Sequence, residues 1–165
     1  MPKDRTPEIE LMLKQGKSNA HILMNTCLLL VSFAIFALVI TKDFNLLRIN
    51  SFLTMQLMLS IPFLLTSTLA NSKLNYTLHE IYWDSLGWGT FIMGYAFLLN
   101  SIGILISDMI GSFFAVVFLI VTIALSLVYS AVEVSYNRES IGRRIVKDLI
   151  FITLIFLLGI TPVMS

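Results

Sequence analysis

The stretch from about Leu86 to Val134 is nearly all apolar, and it limits the possible fold more than any other feature of this chain. As one straight α-helix it would be roughly 70 Å long, whereas the hydrocarbon core of a bilayer is about 30 Å thick. Hydrophobic residues make up 57% of the 165 residues and charged residues only 13%. Soluble domains carry roughly 25% charged residues. The sequence therefore predicts an all-α fold, a polytopic bundle of membrane-spanning helices.

Short polar breaks between apolar runs predict about five transmembrane helices. The long run divides best at Ser107 and Asp108, which have a glycine on either side, so its halves form a helical hairpin. Pro62 near the middle of the second run predicts a kink. The fifth run is short, and Pro162 lies near its end. The predicted spans are 22–41, 52–70, 86–106, 109–131 and 149–163.

Residues 1–21 predict a cytoplasmic amphipathic segment whose short helix lies on the membrane surface rather than through it. Thr6 suits the cap of that helix, Pro7 its first turn, and Gly16 its end. Ser18 then suits the cap of the first span. Residues 22–165 form a single transmembrane domain, with a second interfacial helix predicted within residues 71–83. Tyrosines and tryptophans near that loop are typical of headgroup-level anchors, namely Tyr76, Tyr82, Trp83 and Trp88.

Positively charged residues predict the orientation, because cytoplasmic loops are rich in Lys and Arg. With five spans, the N-terminus and the second and fourth loops lie on one side and hold all Lys and Arg of the chain except Lys42 and Arg48. We therefore expect a multi-pass protein of the cell membrane with its N-terminus in the cytoplasm. Its C-terminus is then outside.

The sequence does not match the usual patterns of several function classes. No Asp, Glu, Lys or Arg lies in the middle of a predicted span, which argues against a coupled transporter working alone. A net charge of +1 gives no reason to expect a nucleic-acid partner. The single cysteine, Cys27, excludes an internal disulfide. No phosphate-cradling glycine motif, nucleophile motif or spaced histidine pair occurs, so no cofactor, metal or catalytic residue is predicted.

Uncharged polar residues inside the spans are the first candidate site. Gln56 and Asn100 have similar predicted depths and are candidates for a hydrogen bond across a shared interface. Thr122, Ser126 and Ser130 recur every four residues on the fourth span. We expect this row to face Thr90, Gly94 and Ser101 of the third span, as helix-packing contacts. The alternative is that Gln56, Asn100 and the row of hydroxyls line a polar path.

The second candidate site is a cluster of charged residues and histidines at the inner membrane edge. Three interpretations compete: an ordinary interfacial charge network, a site for an anionic lipid headgroup, and a metal or hydrolytic site. The lipid interpretation rests on Lys147 and the two arginines. The cluster comprises His21, His79, Glu80, Asp84, Glu133, Arg143, Arg144 and Lys147.

Three function hypotheses follow. The leading one is a small membrane protein without enzymatic activity, acting as an accessory or assembly subunit or as a homo-oligomer. Its partners are the lipid bilayer and other membrane proteins or further copies of itself. The alternative is a small channel or carrier for a neutral or lipid-like substrate. The weakest is an intramembrane enzyme at the cytoplasmic edge.

Overall fold

A computed structural model describes residues 7–42, 50–74, 80–136 and 141–164 of this chain, and their architecture is an all-α bundle. Five of its helices are long and apolar enough to cross a membrane, which supports a multi-pass membrane protein. The elements are α1 (Pro7–Lys42), α2 (Ser51–Lys73), α3 (Glu80–Met109), α4 (Ser112–Tyr136), α5 (Ile141–Ile155), a π-helical segment (Phe156–Ile160) and α6 (Thr161–Met164).

The first helix is continuous from Pro7 to Lys42, so the predicted helix end at Gly16 is wrong. Gly16 is exposed, and among the described residues nothing beyond its own stretch of helix lies within 4 Å of the place its Cβ would take, so no close contact requires glycine there. Ser18 is not a helix cap either, since it lies inside α1 and bonds to α2. The apolar part of α1 that is long enough to span begins at Gln15. The proposed cap Thr6 lies outside the described residues.

The second helix begins at a side-chain cap that also contacts the end of α3. Asn50 Oδ1 accepts a hydrogen bond from the backbone N–H of Leu53 at 3.0 Å, the usual N-cap contact. Asn50 Nδ2 donates to Asp108 Oδ2 at 3.1 Å. Pro62 lies within α2, which continues past it to Lys73. The start of α2 and the end of α3 are therefore tied together at one end of the bundle.

The predicted hairpin between the third and fourth spans is present, but its turn comes later than Ser107–Asp108. Helix α3 continues to Met109, and Gly111 adopts φ +137°, a conformation that side chains disfavour. The backbone N–H groups of Ile110 and Gly111 both donate to the carbonyl of Ile106, at 2.8 and 3.1 Å. The glycine rather than the polar pair therefore ends the helix.

The fifth span contains a change of helix type. The apolar segment Arg144–Met164 is long enough to cross a membrane. Within it the α-helix gives way to the π-helical segment, where the backbone N–H of Thr161 donates to the carbonyl of Phe156 five residues earlier. Pro162 follows within the next turn.

Helix α3 is the central helix of the bundle. Half of its most apolar 18-residue window is buried, against 17% for α1 and for α4. One core cluster joins α3 to α4 and the fifth span, and a second joins α2, α3, α4 and α6. Helix α2 approaches α3 closely, because the place of a Cβ on Gly94 is 2.8 Å from Leu64 Cγ and 3.0 Å from Leu64 N. Helix α1 packs mainly on α2.

Candidate functional site

Three polar residues recur at every seventh position of α1 and are buried against α2. Ser18, Asn25 and Ser32 are each at most 4% exposed, although most of α1 is exposed. Residues seven apart lie on nearly the same face of a helix, since seven residues are close to two turns. Ser18 Oγ donates to the carbonyl of Asn71 at 2.7 Å, and Ser60 Oγ donates to Ser32 Oγ at 3.4 Å. The contact between α1 and α2 is thus an antiparallel seam of small polar side chains.

The middle of this seam extends to α3 through one serine. Asn25 Nδ2 donates to Ser67 Oγ at 2.9 Å, and Ser67 Oγ donates in turn to the carbonyl of Gly87 at 2.7 Å. Asn71 lies against the same glycine, with its Nδ2 3.2 Å from the place of a Cβ on Gly87. Hydrogen bonds of this kind between membrane helices contribute about 0.6–2 kcal/mol each. Ser67 therefore links three helices within the membrane.

Gln56 and Asn100 are both fully buried, but they do not bond to each other through their amide nitrogens. Gln56 Nε2 donates to the carbonyl of Leu158 at 2.8 Å, and Asn100 Nδ2 donates to the carbonyl of Leu154 at 3.2 Å. In an α-helix the carbonyl of Leu158 would accept from the N–H of residue 162, and that residue is proline, which has none. Gln56 therefore supplies this carbonyl with a donor from another helix, at the place where a regular α-helix would need the N–H that Pro162 lacks. The predicted direct pairing of Gln56 with Asn100 gives way to two contacts with the fifth span.

The side-chain oxygens of these two amides are buried and have no hydrogen-bond partner among the described residues. Asn100 Oδ1 lies against Gly159, at the place where a Cβ would be, and Leu119 Cδ1 is 3.1 Å from that place. Gly159 is therefore the residue that lets Asn100 and Leu119 reach the backbone of the π-helical segment. The two oxygens are acceptors in the interior, where an unmet hydrogen bond costs free energy.

Two members of the row of hydroxyls on α4 form hydrogen bonds elsewhere than to the predicted surface of α3. Thr122 Oγ1 donates to the carbonyl of Phe118 in its own helix at 2.8 Å. Ser130 Oγ donates to Asp148 Oδ2 on α5. Gly94, expected opposite this row, faces Leu64 on α2 instead. The close contact between α3 and α4 is made at Gly103, where the place of a Cβ is 3.1 Å from the side chain of Leu119.

The other two residues expected opposite that row also bond within their own helix. Thr90 Oγ1 donates to the carbonyl of Leu86 at 2.7 Å, and Ser101 Oγ donates to that of Phe97 at 2.8 Å. Ser126 is half-buried. The residues proposed for a polar path therefore make contacts with different helices.

Part of the predicted inner-edge cluster comes together from three helices. Lys147 Nζ on α5 lies 4.8 Å from the centre of the Trp88 ring on α3, a cation–π contact. His21 on α1 is half-buried and lies within electrostatic range of Lys17, Lys147 and Asp84. We call Lys17, His21, Asp84, Trp88 and Lys147 the basic cluster.

The remaining members of the predicted cluster are only partly described. Arg144 is half-buried on α5. His79 lies outside the described residues, as do the side chains of Glu80, Glu133 and Arg143. Within the described ranges, no group of three or more His, Cys, Asp and Glu residues is arranged to hold a metal ion.

Sequence reasoning missed two features of these sites. The seven-residue spacing of Ser18, Asn25 and Ser32 is visible in the sequence and would have identified the seam. Gly159, three residues before Pro162, would have indicated a close contact in the last span. Comparison with known proteins finds no matching family model, no matching curated protein and no matching solved structure.

Proposed function

We propose that this chain is a small membrane component without enzymatic activity, acting as an accessory or assembly subunit or as a homo-oligomer. The observation that carries the proposal is the exposure of α4. Only 17% of its most apolar window is buried within the chain. Val117, Val121, Leu125 and Val128 form a row on it at helical spacing, each between 43% and 65% exposed. This row offers a long apolar face to another helix.

The interhelix hydrogen bonds support the same proposal. Asn25, Gln56 and Asn100 use their amide nitrogens to hold α1, α2, α3 and the fifth span together. Their contacts serve helix packing. The association face is then the apolar surface outside these contacts, where van der Waals packing drives helices together in lipid.

Native mass spectrometry after purification in a mild detergent tests the proposal. We expect a defined oligomer or a co-purifying membrane protein, and we expect Leu125→Trp on α4 to reduce that species. Leu65→Trp is the matched control, because Leu65 on α2 is 49% exposed and lies outside the α4 row. A strictly monomeric chain without a co-purifying protein contradicts the proposal. If both variants lose this oligomer or complex to the same extent, the association face is not on α4.

One observation favours the second candidate, a small channel or carrier for a neutral or lipid-like substrate. Within the described ranges the buried oxygens of Gln56 and Asn100 have no hydrogen-bond partner, and a neutral substrate with donor groups suits such acceptors. Against this candidate, Thr122 bonds within α4 and Ser130 bonds to α5, so these hydroxyls do not extend a path from the two amides.

A further inference from the structure

We propose that two copies of this chain associate side by side in the membrane through the outer face of α4, as a parallel pair of helices. This inference rests on the association proposed above and deepens it, because it names a second copy of the chain as the partner. Three features of α4 carry it: the spacing of its exposed residues, their sizes and the lack of charge along its span.

The exposed face of α4 follows a seven-residue repeat over the whole span. Residues at alternating spacings of three and four form one row on a helix, and two such rows stay in contact when the helices coil gently around each other. On α4 this row lies opposite Ala115 and Leu119, which are fully buried in the bundle. We call the row the α4 seam, and all six of its members are exposed: Phe114, Val117, Val121, Ala124, Val128 and Ala131.

The side chains of the α4 seam are smaller than those on its two borders. From Val117 onwards the seam consists of valine and alanine. Ile120 and Leu127 border it on one side, Leu125 and Tyr129 border it on the other, and all four are exposed. Small residues let two helix backbones approach closely in a membrane, where association depends on van der Waals packing. The seam is therefore a shallow depression between two ridges, a shape that suits the close packing of a second helix.

Charge favours a second copy of this chain as the source of that helix. Of the five spanning segments in the described part of the chain, only Ser112–Val132 contains no Asp, Glu, Lys or Arg. Two identical copies can therefore meet along α4 without bringing like charges together, an arrangement that would oppose association. The seam carries apolar side chains alone, so recognition depends on a match of shape, which an identical seam supplies.

The orientation of the pair follows from symmetry. Copies that insert in the same direction meet in parallel about a twofold axis, so the same surface of each copy forms the contact. Each seam residue then lies at the same depth as its equivalent in the second copy. Ala124 and Val128 should therefore lie close to the same residues of the other chain.

Disulfide cross-linking in the membranes of expressing cells tests the proposal. Cys27→Ala removes the single cysteine of the chain, and Val121→Cys, Ala124→Cys or Val128→Cys then places one thiol on the seam. We expect oxidation with copper phenanthroline to give a disulfide-linked dimer from these variants. Tyr129→Cys is the matched control, because Tyr129 is exposed at nearly the depth of Val128 but lies off the seam. Its yield of dimer should be severalfold lower than that of Val128→Cys.

A second substitution tests the shape of the seam. Ala124→Trp places a side chain there that is too large for close approach, so it should lower the dimer yield of Val128→Cys severalfold. Equal yields with and without Ala124→Trp overturn the proposal, as do equal yields from Val128→Cys and Tyr129→Cys. A disulfide between Phe114→Cys and Ala131→Cys of two co-expressed chains requires an antiparallel pair, and it also overturns the proposal.

Failure of this proposal is distinguishable from failure of the proposed association. If no seam cysteine forms a dimer but native mass spectrometry shows a defined oligomer or a co-purifying protein, the α4 pair is wrong and the association remains. If the wild-type chain cross-links through Cys27, which is exposed on α1, while the seam cysteines do not, the contact lies on α1. A strictly monomeric chain without a co-purifying protein overturns both proposals.

Discussion

At the scale of single residues, Gln56 supplies a hydrogen-bond donor to the backbone of the fifth span near its proline. Pro162 cannot donate to the carbonyl of Leu158, and lipid offers no water to take its place. The Gln56 amide supplies the missing donor from a different helix at 2.8 Å. Sequence analysis predicted that Gln56 and Asn100 make interhelix hydrogen bonds, but it paired them with each other. Depth in the membrane follows from position along a helix, whereas the neighbour a side chain faces depends on how the helices pack.

This explanation predicts an energetic coupling between Gln56 and Pro162. Gln56→Leu alone should destabilise the bundle by about 1–2 kcal/mol, because the Leu158 carbonyl loses its donor inside the membrane. In a Pro162→Ala background, residue 162 gains an N–H, which an α-helical turn would direct to that carbonyl. In that background, Gln56→Leu should lower the free energy of unfolding by clearly less than it does when proline is present. Unfolding titrations in mixed detergent micelles on the four variants measure the coupling.

Equal costs of Gln56→Leu in the two backgrounds would show that Gln56 acts independently of the proline. Asn100→Leu is the internal control for this cycle. The Asn100 amide binds the carbonyl of Leu154, which lies a turn further from Pro162. The loss of unfolding free energy caused by Asn100→Leu should therefore not depend on residue 162.

At the scale of helices, the sequence predicts where the spans lie better than how they pack. Apolar length set the number of spans, and the hairpin between α3 and α4 is present as predicted. The helix ends were less accurate, since polar residues such as those at 71–73 and 107–108 remain helical. A helix in a membrane keeps its backbone hydrogen bonds into the headgroup region, so the end of an apolar run does not mark the end of the helix. The hydroxyl row on α4 was predicted to pack against α3, whereas Ser130 of that row bonds to Asp148 on α5. Small residues permit a close contact but do not determine which helix makes it.

The close approach of α2 and α3 depends on Gly94. A Cβ there would lie 2.8 Å from Leu64 Cγ and 3.0 Å from the Leu64 backbone nitrogen, and a backbone atom cannot move aside as a side chain can. We expect Gly94→Ala to lower the unfolding free energy by about 1–3 kcal/mol, the usual cost of overpacking. Thermal unfolding in detergent, followed by size-exclusion chromatography, measures the difference.

Gly89→Ala is the matched control for this change, since both glycines lie in α3. In the described part of the chain, nothing beyond its own stretch of helix lies within 4 Å of a Cβ at Gly89, so alanine should be neutral or slightly stabilising through its higher helix propensity. If Gly94→Ala unfolds at the same temperature as Gly89→Ala, α3 does not need a glycine at its contact with Leu64.

At the scale of the whole molecule, the two ends of the bundle differ in chemistry. One end holds the basic cluster from α1, α3 and α5 together with the end of the polar seam at Ser18 and Asn71. The other end is joined by the bond between Asn50 and Asp108 and by the glycine turn of the hairpin. This asymmetry was predicted from the distribution of Lys and Arg, whereas the contact between Lys147 and the Trp88 ring was not. Charge along the chain shows which end is basic, but helix rotation decides which of these side chains meet.

The same asymmetry predicts the orientation of the chain in the cell membrane. Helices flanked by Lys and Arg keep those flanks in the cytoplasm, so the end that holds Lys17 should be inside. The test uses a Cys27→Ala background with a new cysteine at Gln15→Cys or Ser51→Cys, two exposed positions at opposite ends of the bundle whose substitution leaves the charge unchanged. A membrane-impermeant maleimide applied to intact cells should label Ser51→Cys and leave Gln15→Cys unlabelled until the membrane is opened. Labelling of Gln15→Cys in intact cells would reverse the orientation, and the basic cluster would then face the leaflet poorer in anionic lipid.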